Sequence, residues 1–482
     1  MRLSEIIKDC GVLSVKGNSD IEITSVTNDS RKVGPGSLFV AVNGCGNDGR
    51  AYIPKAIEAG ASAVLCEGDC ESGSAAAVCV GDSRLAAALV ADRFYGHPSG
   101  KLNLVGITGT NGKTTTVTLL YNLFRGLGYE CGLLSTIANF IGPERRETSN
   151  TTSDPFTINS LLSEMVEAGC EYCFMEVSSI GVEQQRVAGL EFKVGIFSNL
   201  THDHLDYHGT FAEYLRCKKL FFDNLPESAV AITNVDDRNG EVMVQNTKAK
   251  VVTYSCRGAA DHCARILEES FEGMLLKIDG TETWTRLIGG HNAYNILAIY
   301  STAIALGADK QEALVAISRL DSAKGRLETL RGPRDLSVVI DYAHTPDALE
   351  NVLKTLRDVA PERELICLFG CGGDRDKTKR PEMAAISEKL ADRLFITSDN
   401  SRTEKTEDII EDIKKGLSPS GLAKSICISD RREAIRAAIM MAPKGATILL
   451  AGKGHEDYQI LGKTKYHFDE REIVEETFKG IE

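Results

Sequence analysis

Gly106-Ile107-Thr108-Gly109-Thr110-Asn111-Gly112-Lys113-Thr114-Thr115 follows the mostly apolar run 102–107. It precedes Val117, Leu120, Phe124 and Leu127, which recur at helical spacing. A buried strand, a glycine-rich turn and a helix in that order form a phosphate cradle. The glycines let backbone N–H groups close on phosphate oxygens, and the helix N-terminus adds the positive end of its dipole. Lys113 is placed to reach the β- and γ-phosphates of ATP, and the Thr114 hydroxyl to bind Mg2+. Gly109, Thr110, Asn111, Gly112 and Thr115 complete the expected ATP-binding loop. Position 107 is Ile where a standard P-loop has its first glycine, so the competing reading is a glycine-rich turn with a chance Gly-Lys-Thr.

Outward from this loop, Phe174-Met175-Glu176-Val177-Ser178 and Val194-Gly195-Ile196-Phe197-Ser198-Asn199 are apolar runs that end in polar clusters. Strands alternating with helices argue for an α/β parallel sheet, with ligands at the carboxyl ends of its strands. Upstream, the apolar runs 38–42 and 63–65 belong to a block that ends near His97-Pro98-Ser99-Gly100, a plausible linker. Downstream of Arg326 the alternation resumes, with 338–340, 365–369, 394–397, 426–428 and 448–451 as strands. The expected domains are 1–98, 99–327 and 328–482. A length of 482 residues suits several domains, since one core rarely serves more than roughly 250–300 residues.

The 43% hydrophobic and 26% charged fractions are those of an ordinary globular chain, and the net charge is -13. That charge argues against nucleic acid or an anionic membrane as partner. No run approaches the roughly 18 apolar residues of a spanning helix. The start, MRLSEIIKDCGVL, has charges inside its apolar run and does not read as a secretory signal. The 14 cysteines are therefore expected as reduced thiols in a cytoplasm. Cys66 with Cys70 and Cys170 with Cys173 look like ligand pairs. They lack a second pair at zinc-site spacing and are expected as core or incidental residues. His202-Asp203-His204-Leu205-Asp206-Tyr207-His208 nearly spells the metal pattern of metallo-β-lactamase-type hydrolases, but Tyr207 stands where its last His belongs.

Collinear motifs cover nearly the whole chain: Thr108 to Thr115, Glu176-Val177-Ser178-Ser179, Asn199-Leu200 with Asp203 to Gly209, Gly325-Arg326-Leu327-Glu328, Asp341-Tyr342-Ala343-His344-Thr345-Pro346-Asp347, Gly370-Cys371-Gly372-Gly373-Asp374-Arg375-Asp376 and Gly452-Lys453-Gly454-His455-Glu456. Together they resemble the Mur ligase family, whose phosphate loop also lacks that first glycine. Asp29-Ser30-Arg31, Pro35-Gly36 and Leu38-Phe39-Val40-Ala41 resemble the uridine-binding domain of its UDP-MurNAc-dipeptide branch. The resemblance implies three domains: a mixed α/β N-terminal domain for UDP, a central parallel-sheet ATPase domain, and a Rossmann-like C-terminal domain for an incoming amino acid. It also implies that a glutamyl carboxylate is activated by ATP as an acyl phosphate and then attacked by an amine. Positioning and cation clamps would carry such a reaction, since negative charge builds up in both steps.

The same resemblance assigns roles. Lys113 neutralises phosphate charge, with Thr114, Glu176 and His204 on Mg2+. Lys218 corresponds to a family lysine carbamylated by CO2, whose oxygen anion suits Mg2+; the plain alternative is an ordinary lysine beside Lys219. Asn292 and Asn295 resemble the adenine-contacting segment, and Arg326 and Asp341 resemble contacts to ATP phosphate and ribose. Ser30, Asn150, Thr151, Thr152, Ser178, Gln184 and Arg186, with Lys218, resemble contacts to the UDP-MurNAc-dipeptide. Ile180 departs from the His that the family often has after its Ser pair.

For the added amino acid the informative segment is Asp399-Asn400-Ser401-Arg402. Family members that use meso-diaminopimelate typically show Asp-Asn-Pro-Arg, and those that use lysine commonly have a small residue instead of Arg. Diaminopimelate carries a second carboxylate at its far end, for which a buried Arg offers a bidentate fork. Lysine would leave that Arg unpaired. Arg375, Gly452 and Glu456 match the remaining contacts, with Glu456 on the distal ammonium. Against this, Ser401 and Glu404 have capping-box spacing, which would make Arg402 a solvated first-turn residue. The expected activity is ATP-dependent addition of meso-2,6-diaminopimelate to UDP-N-acetylmuramoyl-L-alanyl-D-glutamate by a cytoplasmic monomer. L-lysine as the added amino acid, or a folylpolyglutamate-synthetase-like ligase, are the alternatives.

Overall fold

A computed structural model describes every residue except 45, 46, 70, 149, 202–204 and 482, and every side chain of those except 47, 205 and 206. The chain folds into two compact units, Met1–Ala264 with Tyr294–Ile317, and Arg265–Ala293 with Ser318–Glu482.

The first unit begins with a small sheet: β1 (Val12–Lys16), β2 (Ser25–Thr27), β3 (Ser37–Val40), β4 (Ala63–Glu67) and β5 (Ala76–Val80), in the order β1-β5-β4-β3-β2. Helix α1 (Ser83–Phe94) follows, started by Asp82, whose carboxylate accepts from the N–H groups of Arg84 and Leu85. The phosphate-loop strand β6 (Asn103–Thr108) leads into α2 (Lys113–Gly126). Next come β7 (Cys131–Leu134), α3 (Pro155–Glu167), β8 (Tyr172–Glu176), β9 (Phe192–Phe197), α4 (Phe211–Asp223), β10 (Val230–Asn234) and β11 (Lys250–Ser255). Strand β6 is parallel to β8 on one side and to β9 on the other. The register pairs Glu176 with Ile107, so Glu176 ends its strand beside the start of the phosphate loop.

The second unit carries β12 (Glu328–Gly332), β13 (Leu336–Asp341), α5 (Pro346–Val359), β14 (Leu365–Phe369), α6 (Lys379–Leu390), β15 (Arg393–Ile396), α7 (Thr406–Lys414), β16 (Ser425–Cys427), α8 (Arg431–Met441), β17 (Thr447–Ala451) and α9 (Glu470–Lys479). Its sheet runs β12-β13-β17-β14-β15-β16. Side chains alternate across each strand. Val339 and Leu449 pack with Leu353, Met383 and Ile413 on one face, whereas Val338, Ile340 and Ile448 pack with Ile435, Ile473 and Val474 on the other. Helices therefore cover both faces, as the alternating sequence requires, and each fully buried aliphatic side chain contributes about 1.5–3 kcal/mol.

The expected strand runs coincide with β3, β4, β6, β8, β9 and β13 to β17. Cys66, Cys170 and Cys173 are buried free thiols. Burial raises the thiols of Cys170 and Cys173 above the ordinary range; Cys70 lies outside the described residues.

Candidate functional site

The phosphate loop takes a shape that its sequence permits and few others would. Gly109 has φ 154° and Gly112 φ 87°. A Cβ at Gly109 would lie 1.9 Å from Ser198 Oγ, and one at Gly112 would lie 2.6 Å from Asn295 Oδ1. The loop is pinned from β9: Thr110 N–H donates to Asn199 O (2.9 Å), Asn111 N–H to Asn199 Oδ1 (2.9 Å), and Ser198 Oγ donates to Asn111 O (2.7 Å). Thr114 and Thr115 are buried in the first turn of α2. Asn295 lies beside the loop, its Oδ1 3.4 Å from the Thr116 hydroxyl.

Two lysines converge on this loop. Lys113 Nζ donates to the carbonyls of Gly109 (2.8 Å) and Thr110 (2.9 Å). Lys218, on α4 and only 1% exposed, donates to the same Gly109 carbonyl (2.8 Å), with its ammonium 4.7 Å from the Tyr214 ring centre. Glu176 is buried and accepts from Thr136, through its N–H (2.8 Å) and its hydroxyl (3.1 Å). The oxygen-only donors Thr114 and Glu176 suit Mg2+, which leaves several positions to water and phosphate. Among the described residues no group of three His, Cys, Asp or Glu side chains could hold a metal. His204, also assigned to Mg2+, lies outside the described residues, as do His202 and Asp203.

A cleft of about 300 Å³ opens here, lined by Lys113, Asn150, Thr151, Thr152, Ser178, Ser179, Ile180, Arg186 and Lys218. Thr152 ties its floor together, donating to Glu176 O (3.0 Å) and accepting from Ser178 N–H (3.0 Å). Arg186 donates to Thr152 O (2.6 Å) and Gln184 Oε1 (2.7 Å). A second hollow of about 180 Å³ shares Asn150 and Arg186 and reaches the N-terminal sheet through Asn28, Asn43 and Arg84; Gln184 lines it too. Ser30 is half-buried in a short 3-10 turn, two residues from Asn28. At the Ile180 departure the structure supplies another ring: His208 Nε2 is 2.9 Å from Ser179 Oγ.

In the second unit, the site residues gather at the carboxyl ends of β13, β14, β15 and β17. Asp341 is buried and accepts from the N–H groups of Leu327 (2.8 Å) and Ala343 (2.9 Å). Burial pushes its carboxyl up against the pull of Arg326, whose guanidinium carbon lies 4.9 Å from the Tyr342 ring centre. His455 lies 4.7 Å from the same ring, and burial lowers its imidazole to about 4. Asn292 belongs to this unit and donates to Ile288 O (2.8 Å).

The capping-box alternative for Ser401 and Glu404 is not what forms. Glu404 is drawn away, accepting from Arg380 Nη2 (2.9 Å) and Asp374 N–H (2.7 Å), and α7 starts only at Thr406. Arg402 is half-buried with φ 48°, and its Nη1 donates to Gly373 O (2.7 Å). A Cβ at Gly372 would lie 3.2 Å from Arg402 Nη1 and 3.8 Å from Arg375 Cγ, so both arginines flank that glycine. Asn400 Nδ2 donates to Glu456 Oε2 (2.9 Å), and Gly452 presents φ 115° beside Asp399. Thr136, Asn28 and Arg84 stand outside the sequence motifs quoted above.

Three family models match the chain: Mur ligase family, catalytic domain, over residues 22–90; Mur ligase middle domain over 107–303; and Mur ligase, glutamate ligase domain, over 325–454. A UDP-N-acetylmuramoyl-L-alanyl-D-glutamate--2,6-diaminopimelate ligase of Parabacteroides distasonis is 50% identical over 486 residues, covering 99% of both chains. One of Clostridioides difficile is 41% identical over 485 residues, again 99% of each. A solved structure with the same enzyme name is 32% identical, with a TM-score of 0.74, covering 100% of this chain and 99% of that one. A Mycobacterium tuberculosis folylpolyglutamate synthase complexed with ADP and AMPPCP shares the fold at 17% identity, TM-score 0.61, covering 77% of this chain and 92% of that one.

Proposed function

This chain belongs to the Mur ligase family, and on that footing we propose that it joins meso-2,6-diaminopimelate to the D-glutamyl carboxylate of UDP-N-acetylmuramoyl-L-alanyl-D-glutamate in peptidoglycan synthesis. It is an ATP-dependent acid–amino-acid ligase. The observation that carries the reading is end-to-end identity of 50% with a ligase of that name. The N-terminal family match at 22–90 and the shorter overlap with folylpolyglutamate synthase disfavour the folate reading.

The carboxylate attacks the γ-phosphorus of ATP and ADP departs, leaving an acyl phosphate. The amine of diaminopimelate then attacks the acyl carbon, inorganic phosphate leaves, and the amine gives up a proton. Asn150, Thr151, Thr152, Ser178, Gln184 and Arg186 orient the muramoyl peptide, with Ser30 toward the uridine. Gly109 to Thr115 wrap the phosphates, and Asn292, Asn295, Arg326 and Asp341 hold the nucleoside and phosphates. Lys113 meets the charge that develops on the transferred phosphoryl group. Thr114 and Glu176, with His204, would hold Mg2+, which neutralises phosphate charge when bound. Arg375, Asp399, Asn400, Arg402, Gly452 and Glu456 receive diaminopimelate.

Lys218 is the proposed site of carbamylation: its neutral amine would add to CO2 with loss of one proton, and the carbamate would supply an oxygen anion suited to Mg2+. Enzyme freed of dissolved CO2 is expected to lose turnover and regain it on adding bicarbonate; indifference to bicarbonate would sink the carbamate. The function itself is tested by ADP release with the UDP-muramoyl dipeptide plus either meso-diaminopimelate or L-lysine. Release with diaminopimelate is expected. Release only with lysine would leave the ligase and overturn the specificity.

A further inference from the structure

Lys453 is fully buried, and its surroundings are the residues placed on the incoming amino acid. Its ammonium lies 3.0 Å from Glu456 Oε2, 3.3 Å from Asn400 Oδ1 and 3.6 Å from Asp399 Oδ1. The faces of Tyr458 and Phe468 close over it at 5.6 and 5.8 Å. A buried ammonium persists only when paired, and this one is shared between two carboxylates and an amide oxygen.

Two consequences follow for the site. The Asn400 amide is locked: Oδ1 accepts from Lys453 and from Ile460 N–H (2.9 Å), which forces Nδ2 onto Glu456. The charge is also set. Asp399 and Glu456 bring two negative charges and Lys453 removes one. Burial pushes the Asp399 carboxyl up, but Lys453 and Arg431 together hold it below the usual range, so it stays ionised. One net negative charge then stands near the half-buried Arg402 and exposed Arg375, a pattern matched by a side-chain end that carries both an ammonium and a carboxylate. A lone ammonium would fit a site with one more negative charge.

We propose that Lys453 is a positioning residue that sets the choice between a zwitterionic and a purely cationic side-chain end. The proposal rests on the diaminopimelate reading above. Removing its charge while keeping the fold shifts preference toward L-lysine, because the carboxylate pair then attracts a cation without compensation.

The test is the ratio of kcat/KM for meso-diaminopimelate to that for L-lysine in Lys453→Met, Lys453→Gln and Lys453→Arg, measured by ADP release. In the neutral variants the ratio is expected to fall about 10-fold or more, with KM for ATP and for the UDP-muramoyl dipeptide unchanged. Lys453→Arg, which keeps the charge, is expected to hold the ratio even if kcat drops. A folded neutral variant with the wild-type ratio overturns the proposal, as does a ratio lost equally in Lys453→Arg. If neither neutral variant folds, Lys453 is a stability residue and the proposal fails. Wild-type enzyme that uses neither amino acid would instead overturn the function reading, so the two failures are distinct.

Discussion

Lys113→Ala is expected to reduce ADP release by roughly 10³-fold or more while leaving the chain folded. The native ammonium rests on two loop carbonyls, those of Gly109 and Thr110, so the loop's own backbone fixes the position of the cation. A preorganised charge of this kind acts on the charge that develops during phosphoryl transfer and needs no rearrangement of solvent at that moment. Its loss should appear mainly in kcat. The fold should tolerate it, because the loop is held independently by Ser198 and Asn199. Steady-state ADP release and a thermal melt decide the matter. Activity within 10-fold of wild type would remove Lys113 from the phosphate clamp.

Arg431→Met is expected to destabilise the second unit by about 3–5 kcal/mol. Arg431 and Glu470 are both 0% exposed, 2.8 Å apart. The same guanidinium donates to the carbonyls of Ser398 (3.0 Å) and Ala451 (2.8 Å). Removing it strands a buried carboxylate and two carbonyls. The Arg431→Met/Glu470→Leu double variant should recover much of the loss, since neutral packing can replace a buried ion pair. Urea unfolding followed by circular dichroism measures this, with Trp284, the single tryptophan, reporting from the same unit. A single variant within about 1 kcal/mol of wild type, or a double variant no better than the single, would show that the pair does not hold the unit.

Much of this architecture was legible because it is local. The run into Gly109 and the helical spacing after Lys113 announce a strand, turn and helix in sequence order, and β13 to β17 each read as a short apolar run. The pairing of charges was not legible. Glu456 lies only three residues from Lys453, but Asp399 and Asn400, which complete its surroundings, and Glu470, the partner of Arg431, lie tens of residues away. The Ser401–Glu404 capping-box alternative fails for the same reason: a local cap competes with Arg380, and the long-range ion pair wins. Thr136 as the partner of Glu176 likewise depends on a strand order that no short window reveals.

On the proposed function, the two hollows that share Asn150 and Arg186 would act together as a length gauge. A muramoyl peptide long enough to fill both would be anchored beside the N-terminal sheet, with its far end beside Lys113 and Lys218. The anchor is therefore leverage as well as grip: shortening the substrate at its nucleotide end would slow the chemistry at the other end, several bonds away, and not merely loosen the hold.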